Sequence, residues 1–385
     1  MTIRKKTCVL ALGNQKGGCG KSTDSLNLCY SLATTYGKKV LLIDFDSQAS
    51  ASMNLGVAVY DDDVATIDEV LGMLLTKGQH VTWDDIEPII ITPTYLTREK
   101  SNERQPNGRN RIVWDDVRKP YGFDLIPSSL NLSLIDMQMA MRGGANGSIS
   151  TGYLRYIIDI IIENADYDYI LIDTPPALSA LSMNAIYAAQ DGVIIPTNLD
   201  VMSMRGIDTF RESTEAVQRM CPHHRGLLAV LLGQYSSRRV VDRELEENSQ
   251  VFFPTPTFKQ QIPESADVKR ANANLRLYAQ INERAKLAFD NVCREIFFAI
   301  DDPEGFQAEW EARKEVQNVK RTILEGFSEE EYNAAVEFGK QMEADGHRIG
   351  VPMSFDRNED GSFSVKYTSG SWYRSTQDGF VSEEE

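Results

Sequence analysis

The stretch GNQKGGCGKSTDS, residues 13–25, decides how this chain is read. It places one lysine, Lys16, before a cluster of glycines and a second, Lys21, after them. The apolar run TCVLAL (7–12) precedes it and reads as a short buried strand. After it, Leu26, Leu28, Tyr30, Leu32 and Ala33 recur at helical spacing, and Gly37 is a natural stop. KKVLLIDFD then reads as a second buried strand. Strand, glycine loop, helix and strand make a βαβ unit whose loop can cradle phosphate. Gly17, Gly18 and Gly20 let backbone N–H groups turn inward, Cys19 contributes backbone only, and the helix aims its positive end at the same place. In this pattern Lys21 contacts the β and γ phosphates, Ser22 supplies a hydroxyl to Mg2+, and Thr23 reaches the α-phosphate.

Further along, YGFDLIPSS (121–129), DYDYILIDTPP (166–176), DGVIIPTN (191–198) and GLLAVLLGQY (226–235) read as more apolar strands. TIDEVLGMLL (66–75) and TGYLRYIIDIIIENA read as helices. Apolar strands alternating with helices predict an α/β P-loop NTPase fold, a mostly parallel, doubly wound sheet with helices on both faces. Three aspartates, Asp44, Asp46 and Asp173, end apolar strands; in an open parallel sheet such ends share the ligand edge. Asp173 closes YILID, the form of a Walker B segment. Two regions break the rhythm. Residues 97–120 are polar and rich in turn formers, and read as an inserted loop. Residues 301–385 read as an acidic, partly helical extension to an ATPase domain over 1–300.

Net charge is −16. Residues 301–385 hold 20 acidic and 9 basic side chains, leaving 36 and 31 for residues 1–300, so the acidity argues little against nucleic-acid contact by the larger part. No apolar run approaches the ~18 residues of a membrane span. The charged N-terminus leads into a run too short for an export signal. Five scattered cysteines without metal-ligand spacing suit a reduced, cytoplasmic protein.

Lys16 needs its own explanation. Turned back on its own loop it would duplicate Lys21; it is better placed to reach a second nucleotide across a dimer interface. At this point KGGCGKST, VLLIDFDSQAS, FDLIPSS, DYDYILIDTPPALSALSMNAI and DGVIIPT resemble, in order and spacing, the ParA/Soj/MinD group of deviant Walker A ATPases. Asp44-x-Asp46-x-Gln48 and the TPP…NA segment point to the ParA/Soj branch, and the likeness runs over roughly residues 6–300. The resemblance implies ATP and Mg2+ as cofactors and an ATP-sandwich homodimer in which Lys16 crosses to the partner's phosphates. It implies that Asp46 orients the attacking water, that Asp44 and Asp173 support Mg2+ and the switch segments, and that Pro263 packs near adenine. It also implies nucleoid-associated binding to non-specific DNA and stimulation by a ParB-like partner. Ser47 stands where the family has proline, and Asp24 where it has a small or hydroxyl residue.

Residues 236–300 carry 10 basic and 9 acidic side chains. Arg238, Arg239, Arg243, Lys259, Lys269, Arg270 and Arg276 could gather on one face and neutralise DNA phosphates; the alternative is a solvated surface. The chain ends FVSEEE, without the basic amphipathic helix of a MinD-type membrane anchor, so no membrane role is expected. Tyr367 and Tyr373 are expected to pack aromatically. Two other readings remain: an ATPase positioning a protein cargo, and a low-turnover ATP-binding regulator. A further expectation is that the acidic tail docks a partner or shields the basic face.

Overall fold

Cys8–Leu12 is apolar at every position, so both of its faces need cover. In the computed structural model this strand, β1, lies inside a six-stranded sheet, between β6 (Tyr169–Asp173) and β7 (Gly192–Asn198). With β2 (Val40–Asp44), β5 (Asp124–Ile126) and β8 (Leu227–Gly233) the order is β5-β2-β6-β1-β7-β8, and every pairing is parallel. The structure describes residues 6–59, 64–77, 80–104, 110–146, 152–198, 201–236, 255–324, 327–345, 347, 352–358, 360–367, 371–376 and 379–382.

The helices in chain order are α1 (Lys21–Thr34), α2 (Ser50–Asn54), α3 (Ile67–Lys77), α4 (Trp83–Ile86), α5 (Leu132–Asn146), α6 (Tyr153–Asn164), α7 (Ala180–Ala188) and α8 (Val201–Met220). They continue with α9 (Asp267–Ala273), α10 (Tyr278–Ile281), α11 (Glu283–Asp301), α12 (Pro303–Leu324) and α13 (Glu329–Ala344). Helices α1 and α11 cover one face of the sheet: Leu26, Leu28, Leu32, Phe289, Val292 and Ile296 pack with Leu10, Leu12, Leu42 and Leu171. The alternate residues Val9, Ala11, Leu41, Ile43, Ile170 and Ile172 are also buried, on the side of α6, α7 and α8. Each large aliphatic side chain withdrawn from water contributes about 1.5–3 kcal/mol, which holds a sheet with no solvated face. The chain divides into two units, Met1–Leu245 with Thr255–Gln307, and Glu246–Pro254 with Ala308–Glu385.

Residues 97–104 and 110–120, expected as parts of a loop, are instead two paired strands; residues 105–109 lie outside the described residues. β3 (Thr94–Arg104) pairs antiparallel with β4 (Asn110–Pro120), Arg98 opposite Asp116 and Lys100 opposite Trp114. Arg98 is 3.0 Å from Asp116, Lys119 pairs with Glu99, and the Lys100 ammonium lies 5.2 Å from the Trp114 ring centroid. Charged cross-strand pairs carry this ribbon, so the apolar alternation that usually betrays a strand is missing. At its base the Arg276 guanidinium stacks 4.2 Å from the Tyr95 ring and donates to the Leu96 carbonyl.

In the second unit β9 (Pro352–Arg357), β10 (Phe363–Tyr367), β11 (Trp372–Thr376) and β12 (Gly379–Ser382) form an antiparallel sheet in the order β12-β11-β10-β9. Phe327, Tyr332, Ala335, Phe355, Phe363, Val365 and Tyr367 make its core. Tyr367 and Tyr373 meet edge to face at 5.6 Å, and the Tyr367 hydroxyl donates to the Ala335 carbonyl on α13. Arg357 forks onto both oxygens of Glu331, at 2.7 and 3.0 Å.

His224, in the turn before β8, joins three elements of the first unit. Its Nδ1 accepts from the Gly226 N–H at 2.9 Å and its Nε2 donates to the Ile186 carbonyl at 2.7 Å, which fixes the neutral ring. Burial lowers its pKa below the ordinary value of about 6.5. Below that pH the unfolded ring takes up a proton that the folded ring resists, so its stabilising contribution is present above 6.5 and declines as pH falls. Urea unfolding should show wild type more stable than His224→Gln by about 1–3 kcal/mol at pH 8, with the gap narrowing by pH 5.5.

Candidate nucleotide site

β1 hands over to the glycine loop through two backbone constraints. The Gly13 N–H donates to the Ile194 carbonyl of β7 at 3.0 Å, and a side chain at 13 would strike the buried ring of Phe210. Asn14 is buried and clamps the loop: its Nδ2 donates to the Pro196 carbonyl at 2.7 Å and its Oδ1 accepts from the Lys16 N–H at 3.0 Å. Gly18 (φ 76°) and Gly20 (φ 97°) take the left-handed conformation that turns the chain into α1. The first turn of α1 then presents unpaired N–H groups and the positive end of its dipole.

Lys21 is buried, and its Nζ donates to the Lys16 carbonyl at 3.1 Å. Lys16 is half-buried on the same loop, and Ser22 and Thr23 are half-buried at the start of α1. The Cys19 thiol is buried against the Lys16 carbonyl at 3.2 Å, and burial raises its pKa.

Asp44 and Asp173 lie opposite each other in the β2–β6 register, and Asp173 is also opposite Leu12 of β1. All three strands therefore end on one line beside the loop. Both carboxylates are fully buried. Burial raises both pKa values; for Asp173 the adjacent Asp44 charge raises it further, while the Ser22 hydroxyl opposes the shift. Asp44 is committed to the fold: Oδ2 accepts from the Ser52 N–H and hydroxyl at 2.8 and 2.7 Å, which secures α2. Asp173 uses Oδ1 for the Ser25 hydroxyl at 3.1 Å, and its Oδ2 is buried with no hydrogen-bond partner. A divalent cation fits this spot, because an orphaned anionic oxygen beside a second carboxylate and a serine hydroxyl lacks a positive charge. Among the described residues no three His, Cys, Asp or Glu side chains converge on a metal, and Mg2+ in phosphoryl-transfer sites takes its other ligands from phosphate and water.

Asp46 is also buried; burial raises its pKa, and the Gln48 N–H, at 2.9 Å from Oδ1, together with the Lys21 charge opposes that. The segment after it turns through Ala49, a non-glycine residue at φ 49° that donates to the Asp46 carbonyl. Ser128, from the loop after β5, donates its hydroxyl to the same carbonyl at 2.7 Å. Asp24, in the first turn of α1, is buried, with its pKa raised by burial and by the Asp173 charge.

Beside the loop lies a cavity of about 230 Å3, lined by Cys19, Gly20, Thr23, Asp24, Gly233, Gln234, Pro263, Lys269 and Tyr278 among others. Loop, Thr23 and Pro263, separated by some 240 residues of sequence, thus share one wall-to-wall space adjoining the phosphate cradle. Of the residues expected at DNA, Lys269 lines this cavity, Arg270 pairs with Asp267 at 3.2 Å, and Arg276 serves the hairpin. Lys259 is exposed, its backbone N–H bonded to Glu295. Arg238, Arg239 and Arg243 lie outside the described residues. Asn14, Ser52, Ser128 and Gln234 were not singled out by the sequence reading; the polar residue between the strand and the glycine cluster was the available signal for Asn14 alone.

The geometry makes Asp173 a site where stability and function oppose each other. Asp173→Asn removes the buried charge facing Asp44, so its metal-free unfolding temperature should exceed that of wild type. Wild type should gain about 2.7 kcal/mol of stability from Mg·ATP at a hundredfold excess over Kd, and the variant should lose most of that gain, as thermal-shift titration would show.

Residues 7–225 match the family described as AAA domain (AAA_31). Rv1708, an uncharacterised protein of Mycobacterium tuberculosis, is 31% identical over 62% of the chain; the match spans only 61% of that relative's own length. The chromosome partitioning protein ParA of Caulobacter vibrioides is 26% identical over 68% of this chain and 83% of its own. The sporulation initiation inhibitor Soj of Bacillus subtilis is 26% identical over 68% and 87%. Among solved structures, Cyanothece McdA superposes with TM-score 0.58 at 20% identity, covering 76% of this chain and all of that one. Cobyrinic acid a,c-diamide synthase of Mycobacterium smegmatis, solved with an ATP analogue and magnesium, gives 0.55 at 23%, covering 78% and 98%. No helix among the described residues is long and apolar enough to cross a membrane. The phosphate loop, its sheet and these likenesses lead to one assignment: the chain belongs to the AAA domain family (AAA_31) and to the ParA/MinD superfamily of P-loop ATPases.

Proposed function

We propose that this protein is a Mg2+-dependent ATPase of the ParA type that partitions DNA. The observation that carries the reading is the second lysine, Lys16, on the same loop as the buried Lys21, whose own charge reaches Asp173. Lys21, the Gly17–Gly20 amides and the start of α1 hold the triphosphate. Ser22 and Asp173 would hold Mg2+, which would supply charge neutralisation at the phosphates. Asp46, buried within electrostatic reach of Lys21, orients the attacking water through its carboxylate. The base occupies the cavity bordered by Pro263.

In this reading Lys16 acts in trans. Two chains face each other across two nucleotides, and each Lys16 offsets charge on the partner's transferring phosphoryl group, as an arginine finger does. The sandwich presents basic residues, Arg238 and Arg239 foremost and also Lys259, Lys269 and Arg270, to non-specific DNA on the nucleoid. A ParB-like protein stimulates turnover. The likeness to ParA and Soj over 68% of the chain supports this reading.

Gel shifts on non-specific duplex DNA at two salt concentrations test it. With ATP, wild type should bind and lose affinity steeply as salt rises, with ADP it should not, and Lys16→Ala should lose at least tenfold in DNA affinity while still binding ATP. Absence of DNA binding under every condition, with ATP still bound, would overturn the DNA reading in favour of a protein cargo.

A further inference from the structure

We infer that Gln234 is a positioning residue of the phosphate loop, its side-chain amide holding the Gly18–Cys19 peptide so that the Cys19 N–H faces the nucleotide phosphates. The inference rests on the reading of the loop as a phosphate cradle.

Gln234 follows β8 directly, and its Nε2 donates to the Gly18 carbonyl at 3.1 Å, across 216 residues of sequence. In a trans peptide the C=O and N–H point in opposite directions. Fixing the Gly18 carbonyl toward Gln234 therefore fixes the Cys19 N–H on the other side. The Lys16–Gly17 peptide is treated the same way: its carbonyl accepts from Lys21 Nζ at 3.1 Å and from the Cys19 thiol at 3.2 Å, which turns the Gly17 N–H away from those donors. Two peptides of one short loop thus have their carbonyls tied back. A glycine-rich loop without such ties would lose much of its freedom only on meeting the ligand.

The backbone at 234 shows what this placement demands. Gln234 sits at φ 54°, the left-handed region in which glycine is at ease and a residue with a Cβ is strained. The strand end is pinned on both sides of it: Gly233 pairs with Asn198 in the β7–β8 register, the Tyr235 N–H donates to the Ile262 carbonyl at 3.1 Å, and the Glu264 N–H to the Tyr235 carbonyl at 2.8 Å. Glycine would suit that backbone better but carries no donor to reach Gly18. The strained position and the hydrogen bond therefore separate two roles that a structural residue would combine.

Three full-length proteins test this: wild type, Gln234→Met, which keeps length without a donor, and Gln234→Gly, which relieves the backbone without a donor. Mg·ADP affinity is measured by calorimetry and the nucleotide-free unfolding temperature by thermal scanning. Both variants should bind Mg·ADP about five- to tenfold more weakly, the worth of one hydrogen bond to an ordered loop. Gln234→Gly should keep or raise the unfolding temperature. Wild-type affinity in both variants would overturn the inference. A parallel fall in affinity and unfolding temperature in both would overturn it too, leaving Gln234 a structural residue. Failure of wild type itself to bind Mg·ADP would overturn the cradle reading, and this inference with it.

Discussion

Three parallel strands held in strict register impose the constraint on which the nucleotide site depends. Because β2, β6 and β1 end level with one another, Asp44, Asp173 and Leu12 share a line, and two carboxylates are buried face to face at the mouth of the phosphate loop. Such a pair is expensive in low dielectric unless something offsets it. The fold offsets half: the Ser52 amide and hydroxyl absorb Asp44, and α2 is anchored by the same contacts. The other half is left open at Asp173 Oδ2. With Asp24 and Asp46 also buried nearby and Lys21 the buried lysine among them, the pocket is locally negative around the place where a polyanion must sit. A triphosphate carrying its own divalent cation resolves that conflict where a bare one does not.

How much of this was legible in the sequence follows from where each residue finds its partners. β1, β2, β6, β7 and β8 were visible because strands covered on both faces need apolar residues throughout. The glycine loop was visible because its chemistry is local. The ties that set its shape were not. Asn14 reaches 182 residues to Pro196, and, beside the carboxylates, Ser128 reaches 76 to Ser52. Nothing in the identity of an asparagine or serine announces a partner at that distance.

The hairpin and the second unit were obscured for the opposite reason. β3 and β4 carry Arg98, Asp116, Glu99 and Lys119 as cross-strand ion pairs, so polarity that suggests a loop in fact pairs two strands. In the second unit, β10 and β11 are short and mix serine, lysine and arginine with aromatics; the clustering of Phe327, Phe355 and Phe363 that makes them a core exists only after folding. The aromatic packing of Tyr367 with Tyr373 was legible as chemistry but not as a sheet.

The placement of β1 between β6 and β7 has a consequence for biosynthesis. Ribosomes make the phosphate loop well before Ile194 and Pro196, yet those two residues hold Gly13 and Asn14. Until the chain has been extended past those residues and they have cleared the exit tunnel, β1 lacks its β7 neighbour and the loop its clamp. Contacts of this sequence separation are slow to close. For the time needed to translate some 180 residues, on the order of 10–40 s at 5–20 residues per second, an apolar strand and a half-made anion site stay open together. The nucleotide site is therefore begun by one stretch of chain and completed by another made some 180 residues later, which leaves β1 in need of protection in the interval.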